Sequence, residues 1–419
     1  MARPALAPRY EALIFALAAG VIGFHLADDS FLQPQPGTSA GDHLLSGLVP
    51  LVVLVLAVWA YPRLRAGARA PIAVVLGLLG MVTAAEAIHY WRDGGMSGDD
   101  YSGLLAIPAG LALVVLGAVI LWRTRRRDDR LHRRYLRRSG WTVLGIVTIF
   151  VVLFPLSIAY VITHAARDVV PPAKLGAAYT QVSFTTSDGL RLKGWYVPSK
   201  NRAAVIAFPG RKGPQTQARM LVRHGYGVLL FDRRGEGESD GDPNALGWAG
   251  ERDLNAAVAF LQRRSDVDRA RIGGIGLSVG GELLLQAAAE SEGLRAVVSD
   301  GAGARSIRED LARPGTGKWL EVPTSLVITA GATLFSNHTP PPNLEGLAPR
   351  ISPRSAFFIY GEHDQANVVE LTPRYYAAAG EPKALWEVPG AGHTKGADVH
   401  PQDYERRIVA FFDGALLAT

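Results

Sequence analysis

Two stretches, residues 103–122 and 141–163, contain no charged side chain. Each is long enough to cross roughly 30 Å of hydrocarbon as a helix. Residues 44–61 and 71–91 are nearly as long, and each ends at an aromatic side chain, Tyr61 or Trp91, of the kind that favours a membrane interface. A shorter stretch, 12–27, follows Arg3 and Arg9. It reads as a first helix; the alternative is a signal peptide ending near Ala27, although the small-residue cleavage pattern there is poor. Residues 1–170 therefore predict an all-α transmembrane region of about five helices, with a seam near Pro171 and Pro172. Residues 171–419 are mixed, charged and glycine-punctuated, as a globular domain is.

The net charge of +6 divides unevenly: residues 1–170 carry 16 Arg against 11 acids, and the remainder 28 Lys plus Arg against 27 acids. A basic excess points to nucleic acid when it is clustered on a globular surface. Here it sits in short loops between apolar segments, so membrane topology accounts for it and no nucleic-acid partner is expected. Arg63, Arg65 and Arg69 follow the second segment, and nine Arg lie between Arg123 and Arg138. Those loops are predicted to be cytoplasmic, and the Arg-rich one is expected also to meet anionic membrane lipids. The alternate loops carry Asp28, Asp29 and Asp42, then Asp93, Asp99 and Asp100, which places the chain after Thr163 on the extracytoplasmic side of a multi-pass cell-membrane protein. His25, Glu86, His89 and His164 fall near the outer ends of their segments, within reach of interfacial water, and read as ordinary interface residues rather than as a metal cluster. The chain has no cysteine, which excludes disulfides, thiolate metal sites and a cysteine nucleophile.

From Ala178 onward, β-rich apolar runs alternate with helical ones, predicting an eight-stranded, mostly parallel sheet covered by helices. Strands are expected at 180–186, 190–197, 203–208, 227–232, 271–277, 296–300, 356–360 and 384–388. Helices are expected at 215–224, 248–263, 279–290 and 401–417. The first two strands flank Ser187-Asp188-Gly189, a turn that suggests an antiparallel hairpin at the sheet edge.

Gly276-Leu277-Ser278-Val279-Gly280 fits the G-x-S-x-G pattern between a strand and a strong helix former. A serine at such a turn projects its hydroxyl from the sheet, so Ser278 is the expected nucleophile. Gly37-Thr38-Ser39-Ala40-Gly41 also matches, but it follows Pro34 and Pro36 with no strand before it, and reads as chance. A serine needs a base that is itself oriented by an acid. Asp364 and His393 follow the last two strands in the order acid then base, at the edge where sites form in open α/β sheets. Asp300 is the competing acid, and His363, His338 and His400 are the competing bases. The backbone N–H groups of Val279 and of Arg211, in the Pro209–Gly213 loop, are the expected oxyanion donors. No metal or organic cofactor is implied.

With these residues in place, residues 178–417 resemble the α/β-hydrolase superfamily, especially its serine aminopeptidase-like and dienelactone-hydrolase-like branches. Asp188-Gly189-Leu190-Arg191-Leu192-Lys193-Gly194-Trp195-Tyr196 looks like the opening hairpin of that superfamily. Asp232-Arg233-Arg234-Gly235-Glu236-Gly237-Glu238-Ser239 resembles its D-x-R-G-x-G-x-S loop. Pro209 departs from the pattern, standing where the family usually has His before Gly. The resemblance implies a short cap at 304–354, in which 322–335 packs as a helix stopped by Pro340–Pro342 or, in a membrane-tethered enzyme, contacts lipid acyl chains. The expected activity is serine hydrolysis of ester-like bonds in a small-molecule or lipid-like acyl substrate through an acyl-enzyme. The alternatives are an aminopeptidase-like serine peptidase, or a non-catalytic sensor or binding module on a membrane anchor. Nothing in the sequence fixes the oligomeric state.

Overall fold

The computed structural model describes residues 8–93, 98–124, 131–167 and 172–418. Residues 125–130 of the Arg-rich stretch and Pro171 of the seam lie outside the described residues. The chain separates into two compact units, residues 1–166 with 323–338, and residues 167–322 with 339–419.

In the first unit, helices Arg9–Leu32, Leu44–Arg63, Gly98–Arg123 and Tyr135–Thr163 are long and apolar enough to cross a membrane, and Ala66–Val82 is a shorter apolar helix. The boundaries expected at 71–91 are corrected. That helix begins at Ala66, stops at Val82, and gives way to a separate helix, Ala85–Asp93. The break falls where uninterrupted apolar sequence turns into a stretch holding Glu86, His89, Arg92 and Asp93, which favours an amphipathic helix over a buried one. Ala66–Val82 runs antiparallel to Gly98–Thr124 at close range. A Cβ added to Gly77 would meet the Gly110 carbonyl at 2.5 Å, and one added to Gly117 would meet that of Ala70 at 2.7 Å. Small residues at such points let helix backbones approach where lipid provides no hydrophobic drive for association.

The segment expected as a cap helix forms Lys318–Ser336, but its greater part groups with the N-terminal helices. A Cβ on Gly331 would lie 2.7 Å from Ala159 Cβ, Phe335 packs edge-on against Tyr160 at 5.5 Å, and Asn337 Nδ2 donates to the Asp42 carbonyl at 3.1 Å.

The second unit is built on one sheet whose strands are β1 (Thr180–Thr185), β2 (Arg191–Val197), β3 (Ala204–Phe208), β4 (Gly227–Phe231), β5 (Ile272–Leu277), β6 (Ala296–Asp300), β7 (Ser355–Gly361) and β8 (Lys383–Val388). Their spatial order is β1-β2-β4-β3-β5-β6-β7-β8, with β2 antiparallel to both neighbours and every pair from β4 to β8 parallel. The central strands are buried on both faces, which explains their continuous apolar runs. Along β3, Ala204, Ile206 and Phe208 face one core with Leu254, Leu283 and Leu284, while Val205 and Ala207 face another with Ile408 and Phe412. This two-sided core fixes the carboxyl ends of β5, β7 and β8 as one rigid edge.

Candidate active site

Ser278 stands alone between the end of β5 and the helix Val279–Glu290, with φ 52° and ψ −125°. An L-residue is held there only by its surroundings. The amide of Ser278 donates to the Asp300 carbonyl at 2.7 Å. A Cβ on Gly276 would sit 2.3 Å from the Gly280 carbonyl carbon, and one on Gly280 would sit 2.6 Å from Pro209 Cδ. The glycines of the motif are thus the condition for the turn to close.

Asp364 lies three residues past β7 and His393 five past β8. Their loops are tied together by the amide of His363 donating to the Ala391 carbonyl at 2.8 Å and that of Gly390 donating to Glu362 Oε2 at 2.8 Å. Ser278 Oγ lies 2.8 Å from His393 Nε2, and His393 Nδ1 lies 2.7 Å from Asp364 Oδ1. With Asp364 ionised, Nδ1–H donates to the carboxylate and Nε2 is left to accept the serine proton. The Asp364 side chain is fully buried, at 0% exposure against 29% for His393, and its oxygens also accept from the amides of Gln365 and Gly361. The hydrogen bond to Asp364 raises the His393 pKa above the ordinary imidazole value, against the opposing effect of burial.

The rival residues do not enter this hydrogen-bond chain. Asp300 is buried and accepts from the Tyr404 hydroxyl at 2.8 Å; burial pushes its carboxyl up to about 7. His400 Nε2 bonds the Pro389 carbonyl, His363 is exposed, and His338 belongs to the N-terminal unit. Ser39 has its hydroxyl and its amide on Asp42 Oδ2, in a turn with no strand before it. His25 is bonded to Ser102 and to the Thr83 carbonyl, His164 stacks on Tyr160, and His89 lies edge-on to Tyr90. Among the described residues no group of three His, Asp or Glu is placed to hold a metal ion.

The amide of Val279 opens its helix and so has no intrahelical acceptor. The expectation for Arg211 requires correction. Its amide donates to Asp232 Oδ1 at 3.1 Å, and its guanidinium grips the same carboxylate, with Nη2 2.6 Å from Oδ2. A full negative charge outcompetes a transient one, so this amide is held away from oxyanion duty and Arg211 instead braces the loop.

Sequence reading missed a buried network behind the nucleophile. Glu282, one turn into the helix, accepts from the amide of Gly303 and lies 3.5 Å from Arg305, and burial pushes its carboxyl up to about 7. Arg305 also donates to Gln286 at 2.7 Å. A lone acid four residues after the nucleophile, in a helix otherwise apolar up to Gln286, was the available signal.

Residues 165–390 match the profile of the X-Pro dipeptidyl-peptidase (S15) family. The Mycobacterium tuberculosis protein Rv2307c is 31% identical over 297 residues, which cover 69% of this chain and 88% of that protein. The protein YfhR of Escherichia coli K12 is 28% identical over 248 residues, covering 56% of this chain and 81% of YfhR. The esterase PF2001 of Pyrococcus furiosus superposes with a TM-score of 0.51 at 24% identity, covering 61% of this chain and 99% of the esterase, a likeness of fold. The protein is a serine hydrolase of the α/β-hydrolase class. The chain belongs to the X-Pro dipeptidyl-peptidase (S15) family.

Proposed function

We propose that Ser278, His393 and Asp364 form a catalytic triad that cleaves ester-like bonds, carboxylic ester or thioester, in small-molecule or lipid-like acyl substrates. One observation carries this reading: an unbroken hydrogen-bond chain runs from the strained Ser278 hydroxyl through both nitrogens of His393 to the buried Asp364. Oγ attacks the carbonyl as Nε2 takes its proton, and the imidazolium then returns that proton to the leaving group. Water, deprotonated by the same nitrogen, releases the acid from Ser278. The Val279 amide faces the developing oxyanion. Pro209 has no N–H and that of Arg211 is engaged, so the second donor on this loop is assigned to Gly210. Peptide cleavage is the second reading, favoured by the family whose profile the chain matches.

The N-terminal helices tether this domain to a membrane, with the hydrolase on the extracytoplasmic side. The alternation of Arg-rich and acidic loops supports this orientation. A structural feature supports an odd number of crossings: residues 331–337 reach both Ala159 and the Asp42 carbonyl, so the loop after the first helix and the end of the last helix lie at one end of the unit. That requires Ala66–Val82 to cross as well.

The test is a substrate screen of the full-length protein in detergent, using p-nitrophenyl esters of graded chain length and X-Pro anilides. The reading expects the esters to turn over faster. Turnover confined to the anilides would replace it with the peptidase reading, and turnover of neither would reject both.

A further inference from the structure

The insertion between β6 and β7 leaves one sheet and returns to the neighbouring strand of the same sheet, yet residues 323–338 pack with the apolar N-terminal helices. Three observations bear on what surrounds it. First, residues 322–336 carry no charge, and the hydroxyls of Thr333 and Ser336 donate to the carbonyls four residues earlier, at 2.8 and 2.6 Å. This back-bonding lets a hydroxyl lie in a helix without water. Second, the helix packs on the last turns of the final N-terminal helix. Gly331 meets Leu156 and Ala159, and Phe335 meets Tyr160 and His164. These are the turns through which the chain passes on its way to the hydrolase.

Third, large apolar side chains are concentrated on the exposed surface of the insertion, beside the exposed carboxylate of Glu321. Among described residues 172–418 the large exposed hydrophobic side chains are Leu311, Trp319, Leu320, Leu326, Leu385 and Val399. Four of these six lie between 311 and 326, with Leu320 84% exposed. At about 100° per residue, Leu326 lies about 120° around the helix from buried Ala332. Such a concentration of exposed apolar side chains in one short segment, on more than one side of its helix, points to an apolar surrounding rather than to ordinary scatter.

We propose that the helix Lys318–Ser336 is an in-membrane element of the hydrolase insertion, immersed without crossing in the leaflet on the hydrolase side, and that Leu320 and Leu326 contact phospholipid acyl chains. The inference rests on the N-terminal helices being membrane spans. Both ends of the insertion return to one sheet, so a full crossing is excluded. Trp319 lies near the helix start, where its amphipathic ring suits the interface.

The native chain has no cysteine, so single cysteines can be introduced without background. Leu320→Cys, Leu326→Cys, Val115→Cys and Val399→Cys, each in the full chain, are labelled with bimane. They are then reconstituted in phosphatidylcholine–phosphatidylglycerol vesicles carrying acyl-chain nitroxide lipids. Val115 is an exposed residue of helix Gly98–Thr124, and Val399 an exposed residue of the hydrolase. The proposal expects loss of fluorescence at 320 and 326 matching that at 115, with 399 remaining bright. Quenching at 115 but not at 320 or 326 overturns the inference and leaves the membrane spans standing. If unlabelled Leu320→Cys and Leu326→Cys proteins, treated with a mild oxidant such as copper phenanthroline, instead form disulfides between two copies of the chain, the partner is a second subunit and the lipid assignment is wrong. A bright label at 115 overturns the spans and this inference together.

Discussion

Replacing Asp364 with Asn separates the role of its charge from that of its shape. The carboxylate sits 2.7 Å from His393 Nδ1, is fully buried, and has its other contacts with the amides of Gly361 and Gln365. Asn keeps the volume, but its NH2 can face Nδ1 and select the wrong tautomer, and it offers no charge to stabilise the imidazolium. The loss expected for an orienting acid is on the order of 10⁴ in kcat, about 5.4 kcal/mol of barrier at 1.36 kcal/mol per decade. A pH signature accompanies it. The free base is the active form of His393 and its pKa is raised by Asp364, so wild-type kcat/KM falls as pH drops through a value above 6.5. In the Asn variant that limb moves to lower pH. The same raised pKa contributes stability that is fully present below pH 6.5 and lost as pH rises through the folded value, and the variant loses this contribution as well. Asp300→Asn is the control, because its carboxyl bonds Tyr404 rather than His393. Stopped-flow hydrolysis of p-nitrophenyl acetate between pH 5 and 9, with a thermal melt of each variant, makes the comparison. If Asp300→Asn proves the more damaging to kcat at unchanged Tm, the orienting acid is Asp300 and the reasoning fails.

Arg211→Ala strips the partner from buried Asp232, whose side chain is 3% exposed, and should cost about 3–5 kcal/mol in denaturant unfolding; a loss within error of zero would show that the pair does not brace the loop. Gly280→Ala forces a methyl to within 2.6 Å of Pro209 Cδ and should destabilise by about 1–3 kcal/mol while lowering turnover; an unchanged melt and rate would mean that the elbow is not tightly closed. Protease added to intact cells should remove the hydrolase domain, whereas degradation only after lysis would place it on the cytoplasmic side.

The strand pattern and the elbow were legible because both are local. Apolar runs such as 227–231 are imposed by two-sided burial, and Gly276 and Gly280 are demanded by contacts within the turn itself. The order of nucleophile, acid and base followed from strand ends that the sequence marks with Gly361 and Gly390. What escaped depends on distant partners. The Arg211 amide is turned aside by Asp232, 21 residues away on another strand end. The environment of residues 322–335 is set by Ala159 and Tyr160, which no periodicity within the insertion reveals. Helix Ala366–Ala378, which carries Pro373 in its interior, was not among the expected helices; Leu371 and Tyr375 anchor it in the core.

The central claim is that Ser278 is the nucleophile, and the most direct measurement is active-site labelling. A fluorophosphonate probe should form one covalent adduct, located by peptide mass spectrometry on Ser278. It should vanish in Ser278→Ala and persist in Ser39→Ala, whose serine lies in a turn bonded to Asp42. Undiminished labelling of Ser278→Ala, or an adduct mapped to another residue, would contradict the account.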